Sequence, residues 1–224
     1  MVNLVLKEQV CLNFDELKNS TSATSNGVDV FVTDGCRPSI FQVSEGTVTE
    51  IAVPQAYRSR VYDARENVFW ALHGTCLDRL DASFLWTNCL NFDFISEPIR
   101  NVSFDAATER LLLTTATCVY EAEKTGEVVC VSAVPLEKSA TAAVAAEGYQ
   151  GVSLIDNGCF CQLYVYDTEH VFQNAFVFPE GYCVMAMWQS VAEGSAFLNV
   201  FLRSPCAECV PMLQKYRILE EGQF

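Results

Sequence analysis

A cysteine that recurs about every forty residues constrains this chain more than any other feature. Cys36, Cys76, Cys118, Cys161 and Cys206 are separated by 40, 42, 43 and 45 residues. Each follows a β-type run and a short turn, as in Val30–Gly35, Phe69–Gly74, Leu111–Ala116, Val152–Gly158 and Leu198–Pro205. A fixed period in this range marks an array of one supersecondary unit, which cannot bury its apolar face alone and must stack on its neighbours. A second β-type run follows each anchor. In the first, third and fourth copies a polar turn and a third run ending in proline come next. Cys36–Pro54 and Cys161–Pro179 align over 19 residues without a gap, and Cys118–Pro135 is one residue shorter. Proline suits that place because it cannot join a strand ladder.

The third copy reads most clearly as four strands: Val102 to Phe104, Arg110 to Thr115, Cys118 to Ala122 and Val128 to Val134. Thr125 and Gly126 punctuate its last hairpin. In this strand–turn rhythm the stretch resembles a WD40-type blade, and the second copy, from Val61 to Phe92, follows it. The resemblance is to the repeat class only. No Trp-Asp pair ends a third strand and no Gly-His pair opens a blade. It implies an all-β, five-bladed β-propeller occupying residues 1–224 as one domain.

A linear stack of such units would expose two sheet edges, whereas a closed ring exposes none. The last copy runs out of chain after a third strand, Met212 to Ile218. An orphan strand, Asn3 to Val10, precedes the first copy. The expectation is that this N-terminal strand completes the C-terminal blade and fastens the ring. Two inner strands are faint. That of the first copy falls at Cys11 to Phe14, ahead of a disordered-looking Lys18–Gly27. That of the fourth lies in the Ala-rich Thr141–Ala146, which also reads as a helical turn.

The formal charge of −14 argues against nucleic acid and anionic membrane as partners, since both need a basic footprint. No stretch approaches the roughly 18 apolar residues of a membrane span. No basic region followed by an apolar run opens the chain, so no signal peptide is expected. Eleven cysteines, an odd number, fit reduced thiols in an intracellular protein, cytoplasmic or nuclear, better than a disulfide framework. Asn19 and Asn101 begin glycosylation-type tripeptides that carry little weight without a signal.

Chemistry is sparse. Asp15, Asp63 and Asp105 end inner strands in similar settings, and carboxylates near a propeller axis would suit a glycosidase. The stronger reading is that each holds a turn through backbone N–H groups. Cys159, Cys161, Cys206 and Cys209 form two close pairs, but turn residues do not share one face, and buried filler is favoured over zinc. His73 and Cys76 are close in sequence on a turn, which is weak evidence for a Cys–His nucleophile. The expectation is no catalytic residue, no metal and no cofactor.

Propeller topology sorts the loops between the two ends of the ring. One end collects sixteen acids, among them Asp15, Glu16, Asp63, Asp105 and Glu109, against Lys18, Arg65, Arg110 and Lys124. The other is near neutral and carries Arg37, Tyr57, Arg58, Arg60, Ile99, Arg100 and Tyr182. Arg and Tyr are favoured at binding hot spots. This mixed end is therefore the expected surface for a protein or peptide partner. The leading function is a non-catalytic interaction scaffold or complex subunit. The alternatives are a sugar- or small-molecule-binding propeller and, behind it, a five-bladed glycosidase.

Overall fold

Short β-branched and aromatic runs alternate with turns rich in Gly, Asn and Asp along the whole chain, and each run becomes a strand. The computed structural model describes residues 2–134, 138–146, 148–155, 161–167, 169–192, 195–204 and 210–220. Strand β1 (Val2–Cys11) comes first, followed by a 3-10 turn (Asp15–Leu17). Blade one holds β2 (Ser22–Ser25), β3 (Val30–Thr33), β4 (Ser39–Ser44) and β5 (Thr47–Ala52). Blade two holds β6 (Ser59–Asp63), β7 (Val68–His73), β8 (Cys76–Asp81) and β9 (Trp86–Asn91). Blade three holds β10 (Asn101–Asp105), β11 (Arg110–Thr114), β12 (Cys118–Ala122) and β13 (Val128–Ala133). Blade four holds β14 (Ser139–Ala146), β15 (Tyr149–Ile155), β16 (Cys161–Asp167) and β17 (Phe172–Val177).

The fifth sheet has the order β1-β20-β19-β18, built from β18 (Cys183–Ala192), β19 (Ser195–Arg203) and β20 (Met212–Glu220). Its register runs from Val2 opposite Glu220 to Cys11 opposite Met212, with one irregularity between Leu6 and Glu8. The beginning of the chain thus completes its last blade, as the orphan strand requires. The fold is an all-β, five-bladed propeller.

The core lies between blades. Five apolar clusters fill five interfaces, with Leu72 and Leu113 between blades two and three. Leu163 and Val200 lie between four and five, and Val32 and Phe201 between five and one. Phe31 and Phe69 lie between one and two, and Leu112 and Leu154 between three and four. Strands covered on both faces lose period-2 alternation, so β7 and β11 are buried almost throughout. The outer β13 alternates half-buried and exposed residues instead.

Near the axis the blades converge, and only small side chains fit. Blade one's inner strand is therefore β2, with Ser22, Ala23 and Thr24 buried, and Cys11–Phe14 is not. Cys11 instead ends β1, and part of the polar Lys18–Gly27 stretch is ordered strand. The Ala-rich run in blade four is a strand for the same reason. Gly151 on β15 is crowded by its own sheet, since a Cβ there would lie 3.0 Å from Leu163 Cδ1 and 3.2 Å from Val144 Cγ1. Hydrogen bonds tie the inner strands together. Ser59 Oγ lies 3.3 Å from Ser22 Oγ, and Asn101 Nδ2 donates to Ser59 Oγ at 3.0 Å and to the Met185 carbonyl at 3.1 Å. Anchors Cys76, Cys118 and Cys161 each open a third strand and Cys36 precedes one, while Cys206 lies outside the described residues.

Candidate functional site

Because β1 runs towards the end of the ring where β20 begins, the segment that follows it emerges at that end. Asp15, Glu16 and Lys18 therefore sit at the mixed end, not the acidic one. Arg203 Nη1 donates to the Ser20 carbonyl there at 3.0 Å. This separates Asp15 from Asp63 and Asp105 by the length of an inner strand, about 17 Å for five residues. Asp15 is exposed and pairs with Lys18 at 2.7 Å. Asp63 is buried, accepts the backbone N–H of Arg65 at 3.0 Å and pairs with Lys124 Nζ at 2.5 Å. Asp105 accepts from Ala107 N and Thr108 Oγ1. Asp63 and Asp105 hold turns, and the glycosidase constellation does not assemble.

At the acidic end, the described carboxylates of the loops and of the strand residues beside them outnumber Arg65, Arg79, Arg110 and Lys124. These four cations are taken up internally. Lys124 bonds Asp63 and Glu66, Arg65 pairs with Glu109, and Arg110 reaches Glu121 and Glu123. Burial works against the Lys124 ammonium, but the Asp63 and Glu66 hydrogen bonds outweigh it and its pKa is raised. Lys124 and Arg79 in turn hold the Glu66 carboxyl below its ordinary value. At this end, the inner strands of blades one, two, three and five line a depression of about 390 Å³. Tyr62, Phe104, Trp188 and Val191 supply its apolar wall, and Asn26 and Gln189 its amides. Val28 and Val191 stand exposed beside it, and Leu85 and Val171 stand exposed on the outer hairpins of the same end.

The mixed end differs from its sequence reading. Tyr57, Arg60 and Ile99 are 0%, 1% and 2% exposed, so none is a surface contact residue. Tyr57 and Ile99 face inward because interblade segments cap the apolar seams. Arg60 lies within β6, where both faces are covered. Arg37 bonds Asp34 and lies 4.8 Å above the Phe41 ring. Burial opposes ionisation of Asp34, but the Cys36 and Arg37 N–H groups prevail and its pKa is lowered. Arg100 donates to Ser139 Oγ at 2.7 Å and to the Ala140 carbonyl at 3.1 Å. Tyr182 is half-buried beside the Val210 carbonyl, and Arg58 is exposed.

A second cluster sits on the face of blade two that looks towards blade one. The ladder sets His73 opposite Cys76 and Asp78 opposite Cys89, so side chains from β7, β8 and β9 meet on one face. The ligand atoms of His73, Cys76 and Cys89 all lie within 4.8 Å of one another. Beneath them Asp78 is buried. Its Oδ2 accepts from Tyr57 Oη at 2.9 Å and lies 3.3 Å from His73 Nε2, and its Oδ1 accepts from Trp86 Nε1 at 3.1 Å. Burial, then the neighbouring Cys76 thiol and Asp78 carboxylate, pushes the Cys89 thiol up to about 12. The His73–Cys76 proximity was visible in the sequence. Cys89 and Asp78 were missed, because strand pairing rather than spacing brings them in. Of the other two cysteine pairs, Cys161 is buried, while Cys159, Cys206 and Cys209 lie outside the described residues.

The geometry defines a five-bladed propeller with an acidic, apolar-centred mouth and a thiol–imidazole cluster on one blade. No family model and no curated protein matches the chain. Its architecture is similar to that of Myxococcus xanthus glutaminyl cyclase, with a TM-score of 0.65 and 8% identity over 98% of this chain and 97% of that one. Virginiamycin B lyase from Staphylococcus aureus aligns with a TM-score of 0.54 and 10% identity over 90% of this chain and 67% of that one. A Bacteroides caccae protein of unknown function gives 0.52 and 11% over 81% and 69%. At these identities the likeness is one of fold. Among the described residues no helix is long and apolar enough to cross a membrane.

Proposed function

We propose that this propeller is a non-catalytic interaction module that receives a basic segment of a partner protein at its acidic end. One observation carries the reading: Arg65, Arg79, Arg110 and Lys124 are all consumed by internal ion pairs, while exposed carboxylates share that end with an apolar-walled axial depression. A merely solvated acidic face has no need of exposed Val28, Leu85 and Val171 among its charges. Such a face attracts a Lys- or Arg-rich chain electrostatically and offers its aliphatic stems an apolar seat. The free thiols of the described cysteines support an intracellular setting. The mixed end is the second reading, resting on exposed Arg58.

Titration with fluorescent Lys- and Arg-rich peptides, followed by polarisation, tests the proposal. Binding is expected to weaken as salt rises and to fall at least about tenfold in the Glu45→Lys, Glu127→Lys, Glu169→Lys triple variant, as loss of complementary charge predicts. Arg58→Glu should leave it unchanged. Peptide binding that survives the triple reversal, or that depends on Arg58, overturns the assignment to the acidic end.

A further inference from the structure

We propose that His73, Cys76 and Cys89 form a zinc site, one ligand from each of three adjacent strands, with Asp78 as the outer carboxylate that fixes the imidazole. Three observations converge on it. The first is geometric: the three ligand atoms fall within 4.8 Å of one another. Ligands about 2.0–2.3 Å from a tetrahedral metal are themselves roughly 3.3–3.8 Å apart, so small side-chain adjustments close the site.

The second is the charge of the ground beneath it. Asp78 is 1% exposed, and His73 is its only ionic partner among the described residues. Buried carboxylates are ordinarily paired with a cation or placed near a metal. Tyr57 and Trp86 each donate to it, holding the carboxylate against the imidazole edge. A carboxylate on a ligating histidine sets the ring's tautomer and raises its basicity.

The third observation removes the obvious rival. Cys76 lies opposite Asn91 and Cys89 opposite Asp78, so the two cysteines are diagonal neighbours, not direct partners. Diagonal residues on adjacent strands are about 7–8 Å apart, beyond the usual Cα separation of a disulfide. Both thiols are free. Two thiolates with one imidazole form a borderline-soft donor set that suits zinc and excludes magnesium and calcium. On coordination each thiol releases its proton to solvent, so Zn²⁺ is bound without any redox change. The ion would clamp the outer three strands of blade two, whose last strand is largely exposed.

The test uses the reduced, chelator-treated full chain and Co²⁺ as a spectroscopic probe. One equivalent of Co²⁺ should produce intense tetrahedral d–d bands and a thiolate charge-transfer band, both abolished by one equivalent of Zn²⁺. The charge-transfer intensity should halve in Cys76→Ser and in Cys89→Ser, and remain in Cys130→Ser. Tyr57→Phe should weaken affinity about tenfold, as loss of an outer partner does. In the wild-type chain, Zn²⁺ should shield Cys76 and Cys89 selectively from alkylation mapped by mass spectrometry. Equal alkylation with and without Zn²⁺ overturns the proposal even if the variants fail to fold. So does a cobalt spectrum that lacks thiolate charge transfer or is unchanged in Cys89→Ser.

Discussion

Arg60 carries a guanidinium into an interior where none of its three nitrogens finds a protein acceptor. Burial alone lowers its pKa to about 9, which is a statement that the charged form is disfavoured in the fold. An isolated buried charge costs several kcal/mol, and an apolar side chain of similar volume often does better. Arg60→Met should therefore raise stability by about 1–4 kcal/mol. Urea unfolding at neutral pH reads this as a higher midpoint at unchanged slope. A lower midpoint would mean that the guanidinium holds a partner the protein needs. The same residue shows why single positions were hard to read. Placing Arg60, Tyr57 and Ile99 on a surface treated them as loop residues. Arg60 and Tyr57 fall in or beside β6, and Ile99 beside β10, strands whose two faces are both covered. Asp63 and Asp105 were legible as turn holders, because an Asp that begins a polar turn acts locally. Cys89 was not, because its neighbours come from two other strands.

At the scale of single elements, β1 matters most. It makes an antiparallel ladder along the whole of β20, and Leu4 packs with Tyr216 and Ile218 against the blade four–five core. Without it, the edge of β20 would be open to pairing with another chain. Deleting residues 2–10 should turn a monodisperse protein into aggregates on size-exclusion chromatography. A synthetic peptide of residues 2–11 should restore a monomer, and a monomeric deletion variant without the peptide would refute the dependence. This closure was readable because the last copy lacked a strand and the first residues supplied one. The inner strands β2 and β14 were obscured by the crowding that shapes them. Ser, Thr and Ala fit the narrow axis yet carry little β signal of their own.

Across the whole molecule, stability is spread over five interblade seams, none of which can open without exposing apolar surface on two blades. A net charge of −14 works against that compact state through self-repulsion, concentrated at one end. Raising salt from low to physiological ionic strength should therefore stabilise the protein by about 1 kcal/mol, a rise of roughly 2–4 °C in Tm. Calorimetry across a sodium chloride series checks this, and a falling Tm would mean that the ion pairs around Lys124 outweigh the repulsion. The ring and its blade count were legible from the repeat alone. The contents of its two ends were not, because the strand β1 carries the chain to the far side before blade one begins.

That strand also fixes a schedule. Residues 2–11 are made long before residues 212–220, their ladder partner. At about 5–20 residues per second, roughly 10–40 s of translation separate them. Throughout that interval the growing array has an unclosed flank, and β1 must wait for a seat that is synthesised last among the blades.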